Sequence, residues 1–520
     1  MLSGAKRSCL DRRTSGGRIR PAFHACAGDT APLARCVSRC VSRCVTRCAA
    51  AGTLALLAAC ASIQPQATPT TRPALPTKFD PPLATAPVAA QQARWWAPLQ
   101  DPQLDALMDR ALAANRDVQT AVARINEARA LASVAQARAQ PQLSLGGYFA
   151  RDRQSDNTRS GTLSPNPANE RRLGFDASWE LDVFGAVARR RDAALADVYA
   201  ASAQSGAVAV SIAGEVAATY VELRAAQALA VTLRELADAA RSVEQLVAAR
   251  EKAGLVSAFD RLRAEQQVMV TEAELPLAVA REQTAARRLG VLVGGDSHTL
   301  LAELAPPRPL PAALPALPAA LPAALLDRRP DIVAAEAQWR AALARVAAAQ
   351  ADRYPRVSLG AALGLLSISQ GNFFDSASAA WNIAASLSAP LYAPELVAAT
   401  EVERARAEQA ALGYQTAAMN AVLEVEQAMV RLHRAQERET QLAGALAADV
   451  EALKLARIRY ERGLTDFLAV LDVVRSRSQV EQQWVEARAQ TFVQFVALNK
   501  ALGGGWDATT LALSTQGKQP

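Results

Sequence analysis

Four segments of the chain alternate between apolar and polar residues, the pattern of β-strands with one apolar face. In the clearest of them, residues 172–183, Leu, Phe, Ala, Trp, Leu and Val point to one side. Arg, Gly, Asp, Ser, Glu and Asp point to the other side. A strand over 143–151 precedes it, and strands over 356–366 and 380–391 repeat the arrangement later in the chain. The pattern therefore predicts two strand pairs, each with one apolar face.

Alanine-rich, proline-free segments follow each strand pair and predict two very long helices, 186–253 and 395–462. Each would be about 100 Å long at 1.5 Å per residue. Their leucines and valines step by three, four and seven residues, which is typical of coiled coils. Each long helix ends at a glycine and is followed by a returning helix: Gly254 precedes the helix 257–292, and Gly463 precedes the helix 465–502.

The chain contains an internal duplication. Residues 117–146 match residues 331–360 without gaps, and residues 254–295 match residues 463–504 in the same order. Each repeat is predicted to contain a helix, two strands, a long helix and a returning helix. The opening helix of the first repeat is expected to be continuous over Leu104–Ala139, because its apolar periodicity continues until shortly before Pro141.

Composition adds information mainly at the N-terminus. All seven cysteines lie at or before residue 60, and residues 1–60 carry ten Lys or Arg against two Asp. This segment therefore accounts for the net charge of +7, and the rest of the chain gives no electrostatic reason to expect nucleic-acid binding. Four of the cysteines recur every fourth residue, which favours low-complexity sequence over a metal cluster, since paired C-x-x-C motifs are missing.

A secretory signal is predicted directly before Cys60. Arg47 precedes the short apolar run Ala49–Ala59, and the segment ends in Leu57-Ala58-Ala59-Cys60, which resembles a bacterial lipobox. We therefore expect Cys60 to become the lipidated first residue of the mature protein. Because signal peptides rarely have so many residues upstream, we expect residues 1–59 to combine a signal peptide with a non-native extension.

These observations divide the chain into six segments. They are the signal and extension at 1–59, a Pro-rich lipid-anchored tether at 60–98, the first repeat at 99–295, a Pro-rich linker at 296–326, the second repeat at 327–504 and a C-terminal tail at 505–520.

Four strands with one apolar face cannot close into a barrel within one chain, and a bilayer does not tolerate open sheet edges. One solution is a membrane barrel shared by three chains, with twelve strands, apolar faces towards lipid and polar faces lining a lumen. Asp176, Glu180 and Asp182 would then line the lumen and favour cations. The alternative is a soluble sheet packed on helical hairpins, with its apolar face buried in a core.

Several motifs, in this order, resemble the TolC-like outer-membrane efflux proteins, specifically the NodT-type lipoproteins that serve RND pumps. They are Trp95-Trp96 before Asp101-Pro102-Gln103-Leu104, Trp179-Glu180-Leu181-Asp182-Val183-Phe184-Gly185, Ser388-Ala389-Pro390-Leu391-Tyr392 and Ala501-Leu502-Gly503-Gly504-Gly505-Trp506. The resemblance implies a mixed α/β membrane protein: a homotrimeric twelve-stranded outer-membrane β-barrel continued by a periplasmic α-helical barrel of coiled coils. It also implies two partners, a periplasmic adaptor and an inner-membrane RND transporter that supplies the energy.

The resemblance also implies functional residues at the periplasmic end of the tunnel. The turns that contact the adaptor would be formed by Gly254, Leu255, Ser257, Gly463, Leu464 and Thr465. Helix capping by Ser257, Thr465 or Asp466 would by itself explain these residue types. The gate would be formed by Asp472 and Arg475, although Ala469 departs from the second acidic position of the family pattern. A solvated ion pair between residues 472 and 475 is the simpler alternative.

The residues give no indication of an enzyme or of a bound cofactor, and no metal site is predicted. The leading hypothesis is a passive efflux channel in the bacterial outer membrane for drugs or other small toxic compounds. The alternatives are an outlet for type I protein secretion or metal efflux, and a non-conducting lipid-anchored coiled-coil tether.

Overall fold

The computed structural model describes residues 73–80, 94–153, 155, 157, 167–311, 313–315 and 322–506. The predicted signal segment, Cys60 and the tail after Trp506 lie outside the described residues. The described residues all belong to one of two compact units of the chain, Ala67–Pro520.

The strands of both repeats form one antiparallel sheet in the order β1-β2-β3-β4. The strands are β1 Gln142–Asp152, β2 Ala168–Leu181, β3 Arg356–Ser367 and β4 Ala379–Ser388. β2 and β4 end before the predicted positions 183 and 391. At the end of β2 the reason is a helix cap: the Asp182 carboxylate accepts hydrogen bonds from the backbone N–H groups of Val187 (3.0 Å) and Ala188 (2.7 Å).

The register of the sheet brings the apolar positions of all four strands to one face. Phe175 of β2 lies opposite Leu145 of β1 and Leu363 of β3, and Leu363 lies opposite Trp381 of β4. This face is uncovered in the protomer, with Trp381 74% exposed and Ile383 76% exposed. The alternative of a soluble sheet packed on helices is therefore wrong, since the apolar face lies outside the protein core.

Helices form most of the remaining structure. In chain order they are α1 Pro102–Ala114, α2 Arg116–Ala137, α3 Ala186–Lys252, α4 Ala258–Leu292, α5 Ser297–Leu304, α6 Leu325–Arg328, α7 Pro330–Ala351, α8 Pro394–Glu461 and α9 Phe467–Ala501. α3 packs against α2, α4, α7 and α9, and α8 packs against α7 and α9. The two hairpins, α3–α4 and α8–α9, have the lengths predicted from the coiled-coil spacing.

The predicted continuous helix over Leu104–Ala139 is wrong. The chain leaves the helical conformation at Asn115, which has φ −62° and ψ 135°. Its Oδ1 accepts hydrogen bonds from the N–H groups of Asp117 (2.9 Å) and Val118 (3.3 Å) and so caps α2. Apolar periodicity continues across this break, so the pattern alone does not reveal it; asparagine is a strong cap former.

The main hydrophobic core lies where the two repeats meet, and it includes residues from the start and end of the described chain. The Trp95 ring contacts the Phe495 ring edge-on, with 6.1 Å between centroids. Phe79 is buried in the same core. The Pro-rich segment predicted as a tether is therefore not free along its whole length, because an aromatic side chain within it is packed into the protein.

Candidate functional site

The polar face of the sheet carries two of the three acids predicted to line a lumen. Asp176 and Glu180 lie on the face opposite Phe175, and Arg172 forms an ion pair with Asp176. Asp182 lies beyond β2 and caps α3, so the structure does not place it with the other two. The guanidinium of Arg172 offsets the charge of Asp176 on this face.

Small residues of β3 leave a groove of about 570 Å³ over this polar face. Gly174 of β2 and Gly364 of β3 lie opposite each other in the register. A Cβ atom on Gly364 would lie 2.4 Å from the carbonyl oxygen of Leu173, which is closer than non-bonded atoms approach. Glycine is therefore required at this pair of positions.

The tips of the two helical hairpins have the same backbone geometry. Gly254 and Gly463 have φ values of 72° and 73°. The N–H of Leu255 donates to the Arg250 carbonyl, and the N–H of Leu464 donates to the Arg459 carbonyl, both at 2.9 Å. These are the bonds of a Schellman turn, in which glycine takes the left-handed conformation that ends a helix.

The two tips begin their returning helices with different caps. Ser257 and Asp260 form a reciprocal capping box at the start of α4: the Ser257 hydroxyl accepts from the Asp260 N–H at 3.4 Å, and the Asp260 carboxylate accepts from the Ser257 N–H at 3.2 Å. At the start of α9, Asp466 Oδ1 accepts from the Ala469 N–H at 3.2 Å. Thr465 does not cap this helix, and its hydroxyl is buried without a hydrogen-bond partner.

Each tip exposes one leucine directly after its glycine. Leu255 is 72% exposed and Leu464 is 65% exposed. In a Schellman turn, an apolar residue at this position frequently packs back onto the last turn of the helix. Here both leucines face solvent instead, so each of the two tips presents an exposed apolar side chain.

One contact between the tips was missed by the sequence analysis. The Arg250 guanidinium of α3 lies 4.1 Å above the Tyr460 ring of α8. It also donates to the carbonyl oxygens of Tyr460 (3.2 Å) and Glu461 (3.3 Å), which are the last carbonyls of α8. Arg250 therefore caps the other hairpin, and no local sequence pattern connects two residues so far apart in the chain.

The structure separates the two predicted gate residues within the protomer. Asp472 is exposed near the start of α9. Arg475 is directed towards α4, where its Nε donates to the side-chain oxygen of Gln267 at 2.9 Å. Its Nη2 lies 3.4 Å from the side-chain oxygen of Gln266. The carboxylate of Asp472 is thus exposed at the surface of the protomer, whereas Arg475 connects α9 to α4 of the other hairpin.

A buried polar cluster, also missed from the sequence, joins α1 and α3 to the residues after α5. Arg224 is 1% exposed and donates to the Gln227 side-chain oxygen at 2.5 Å and to the Pro306 carbonyl at 3.0 Å. The Tyr220 hydroxyl donates to Asp101 at 2.5 Å. Burial, together with this bond to Asp101, raises the pKa of Tyr220 to about 12. The cluster is a structural anchor between the first repeat and the linker.

Among the described residues, no group of three or more His, Cys, Asp or Glu side chains is arranged to hold a metal ion.

Comparison with known proteins places both repeats in one family. The family model described as "Outer membrane efflux protein" matches residues 107–295 and 321–504. The outer membrane protein OprJ of Pseudomonas aeruginosa is 31% identical, over 79% of this chain and 86% of OprJ. The pyoverdine export outer membrane protein OpmQ of Pseudomonas putida is 30% identical, over 87% of this chain and 96% of OpmQ.

A solved structure of the outer-membrane channel OprN has the same fold. It superimposes with a TM-score of 0.78 at 31% identity, covering 84% of this chain and 98% of the OprN chain. The sheet and hairpins described above are therefore one protomer of a TolC-like channel, in which three chains close a twelve-stranded barrel above a helical tunnel.

Proposed function

Because the chain belongs to the outer membrane efflux protein family and acts as an outer-membrane efflux channel, we propose that it is the passive outlet for drugs or other small toxic compounds. The observation that carries this proposal is the uncovered apolar face of an open sheet, in which β1 and β4 are each paired along only one edge within the described residues. Such a sheet is stable in a bilayer only when other chains complete it. The helices continuing from it provide the path across the periplasm.

The proposal is tested by deleting the gene and measuring susceptibility to antibiotics, dyes, detergents, aromatic acids and divalent metals. We expect hypersensitivity to organic compounds that the restored gene reverses. Hypersensitivity to metals alone would favour the metal-efflux alternative. A loss of secreted proteins without any change in susceptibility would favour protein secretion. Purified protein that forms no pores in planar bilayers would favour the non-conducting tether.

We propose that the two tips bind the periplasmic adaptor of a tripartite pump whose inner-membrane RND transporter supplies the energy. The support is the pair of exposed leucines, Leu255 and Leu464, carried on matched turns with Gly254 and Gly463. Ser257 and Thr465 follow these turns, and the caps Ser257 and Asp466 fix where each returning helix begins. An exposed apolar side chain on a rigid turn can become buried when a partner binds, as the anchor residues of protein interfaces do.

The tip proposal is tested with Leu255→Ser combined with Leu464→Ser. We expect the variant to lose co-purification with the adaptor and to raise drug susceptibility, while its pores in planar bilayers are unchanged. Leu455→Ser is the matched control, because Leu455 is 59% exposed on α8 but lies outside the turns. Unchanged adaptor binding by the double variant would exclude the tips as the contact.

We propose that Asp472 and Arg475 form the periplasmic gate. Threefold symmetry would repeat the exposed Asp472 carboxylate around the axis, and a ring of carboxylates attracts cations. The bonds from Arg475 to α4 support a closed position of the tip, since they connect α9 to the neighbouring hairpin.

The gate is tested by the combined substitutions Asp472→Ala and Arg475→Ala. We expect a higher single-channel conductance. Glu451→Ala with Lys454→Ala removes an acid and a base from an exposed ion pair of α8, 3.3 Å apart, and is expected to leave conductance unchanged. Equal conductance of the gate variant and wild type would reject the assignment.

We propose that Asp176 and Glu180 give the barrel lumen a mild preference for cations. Asp176→Asn should reduce this preference at least as much as Glu180→Gln, because it also leaves the Arg172 guanidinium without its partner. Reversal potentials under a salt gradient measure both. A clearly larger effect of Glu180→Gln would contradict the predicted role of the ion pair.

We propose that Cys60 carries the lipid anchor, on the strength of the preceding Leu57-Ala58-Ala59. Mass spectrometry of the mature N-terminus should find a diacylglyceryl cysteine at this position, and Cys60→Ala should abolish palmitate incorporation. A mature chain that still includes residues before Cys60 would contradict the proposal.

A further inference from the structure

The two faces of the sheet differ in their acidic residues. Every acid in the four strands lies on the polar face: Asp152, Glu170, Asp176 and Glu180. Two arginines, Arg151 and Arg171, lie on the apolar face instead. The four strands carry no Asp or Glu on that face, so the sheet provides no acid to neutralise these arginines.

The two arginines lie just beyond the outer end of the apolar band. On β2 the strand from Leu181 along the apolar face to Arg171 is about 33 Å long at 3.3 Å per residue. Strands of outer-membrane barrels tilt by about 40°, so this length spans about 25 Å along the membrane normal, which is the height of their apolar band. Arg171 follows Leu173 on this face, and Arg151, opposite Asn169, occupies the next position of the same face further out. Both guanidinium groups therefore lie at the level where lipid chains give way to head groups.

The guanidinium of Arg171 has a hydrogen-bond donor that the described residues do not use. Its guanidinium carbon lies 4.9 Å above the centre of the Phe149 ring, which holds the side chain against the lipid-facing surface. Its Nη1 is shielded from solvent and has no hydrogen-bond partner. The residue opposite it on β3 is Ser367, whose hydroxyl already donates to the Ser369 carbonyl at 2.9 Å.

We propose that Arg151 and Arg171 bind the phosphate groups of lipids in the outer leaflet of the outer membrane. A guanidinium presents a planar pair of N–H donors that matches a phosphate and is more easily desolvated than an ammonium. Threefold symmetry repeats the pair around the barrel, so each protomer holds lipid phosphate beside its β1–β2 hairpin. The proposal depends on the position of the barrel in the outer membrane and is independent of cargo, gate and adaptor.

The proposal is tested by native mass spectrometry of the detergent-solubilised trimer with added bis-phosphorylated lipid A. Wild type is expected to bind this lipid at least about tenfold more tightly than its dephosphorylated form. Equal affinity for the two lipids would overturn the proposal without any variant. Release of the lipid by 10 mM inorganic phosphate would assign the site to free phosphate and also overturn it.

Substitutions then locate the site. Arg151→Gln combined with Arg171→Gln is expected to lose the preference for the phosphorylated lipid. Arg172→Gln removes a neighbouring guanidinium from the opposite face of the same strand and should keep the preference. Retained preference in the double variant, or equal loss in Arg172→Gln, would contradict the assignment. Heat-modifiable gel mobility confirms that each variant still forms the barrel.

Discussion

In both repeats a side chain donates a hydrogen bond to the carbonyl at the end of the returning helix, but the side chain is different. In the first repeat, Asn115 Nδ2 donates to the Leu292 carbonyl at the end of α4, at 2.9 Å. In the second, Arg329 stands at the matching position and its Nη1 donates to the Ala501 carbonyl at the end of α9, at 3.0 Å. The duplication has kept a donor for a buried helix end while the side chain that supplies it has diverged.

The change of side chain requires compensation in the second repeat. Asn115 also caps α2, whereas arginine has no acceptor and cannot cap α7. Asp331 accepts from the Ile332 N–H at 3.0 Å instead, and Arg329 donates to both Asp331 and Glu424. Burial by itself would lower the pKa of Arg329, but its bonds to Asp331 and Glu424 outweigh burial and raise the pKa. A neutral amide in one repeat thus corresponds to a charged network in the other.

The glycines beside these contacts differ in how closely the neighbouring backbone approaches them. Gly294 and Gly503 both have positive φ, 66° and 76°. A Cβ on Gly294 would lie 2.4 Å from the Ala114 carbonyl oxygen, whereas a Cβ on Gly503 would lie 3.2 Å from the Arg328 carbonyl oxygen. The first repeat therefore packs its hairpin end more tightly against the preceding helix than the second repeat does.

The largest effect is expected from alanine at these glycines. Gly294→Ala should cost about 3 to 5 kcal/mol of unfolding free energy, since backbone strain adds to a collision with backbone. Gly503→Ala should cost about 1 to 3 kcal/mol, from strain with a milder contact. Chemical unfolding in detergent, followed by the helical circular dichroism signal, measures both. Equal costs would contradict the difference in packing.

Removal of the donor side chains tests the divergent chemistry. Arg329→Ala should cost about 2 to 4 kcal/mol, because a buried carbonyl and two carboxylates lose their partner. Asn115→Ala should cost about 1 to 2 kcal/mol, as for the loss of a helix cap. Asn115→Asp keeps the cap but removes the donor to Leu292, so it separates the two functions of this side chain. A larger loss of unfolding free energy for Asn115→Ala than for Arg329→Ala would contradict this prediction.

The hairpin tips should behave alike, because there the repeats have kept the same geometry. A Cβ atom on Gly254 or Gly463 would meet no heavy atom within 4 Å beyond its chain neighbours, so alanine adds backbone strain without a collision. Each substitution should cost about 1 kcal/mol. Unfolding measured as above should give equal values for the two variants, and a difference well beyond about 1 kcal/mol would show that the tips are not equivalent.

The smallest expected effect is a difference in pH dependence between matching glutamates of the return helices. Burial raises the pKa of Glu481, and Glu235 adds to the shift while Arg477 opposes it. The folded protein then holds this proton more tightly than the unfolded chain, so stability falls as pH rises from about 4.5 through the raised pKa.

Glu481→Gln should flatten this part of the stability profile. Glu272→Gln is the matched control, because Glu272 occupies the equivalent position in the first repeat, with a side chain 41% exposed and paired with Arg241 at 2.6 Å. Unfolding midpoints measured across this pH range compare the two. An identical change of slope in both variants would exclude burial of Glu481 as the cause.

Much of the fold could be predicted because the repeating patterns are long. The helix predicted over 186–253 is observed over Ala186–Lys252, and the one predicted over 395–462 over Pro394–Glu461. Predictions were less accurate where a single side chain decides the backbone. Asn115 interrupts one predicted helix, and the Asp182 cap ends the second strand early.

The candidate sites were predicted less completely than the fold. Glycine turns and polar strand positions are local features, so the tips, Asp176 and Glu180 could be named from the sequence. The contact of Arg250 with the end of α8 and the bonds from Arg475 to α4 join residues about 210 positions apart. Such contacts depend on how two hairpins pack and leave no periodic signal in either.

The sequence by itself determined the duplicated architecture, the lengths of the hairpins and the apolar face of each strand, because these follow from periodicities repeated over many residues. The tertiary structure alone decided which side chains hold the two repeats together, where Asp472 and Arg475 point, and which arginines face lipid without an acid beside them in the sheet. These outcomes depend on the register between strands and the packing between distant helices, where differences of a few ångströms determine which donor reaches which acceptor.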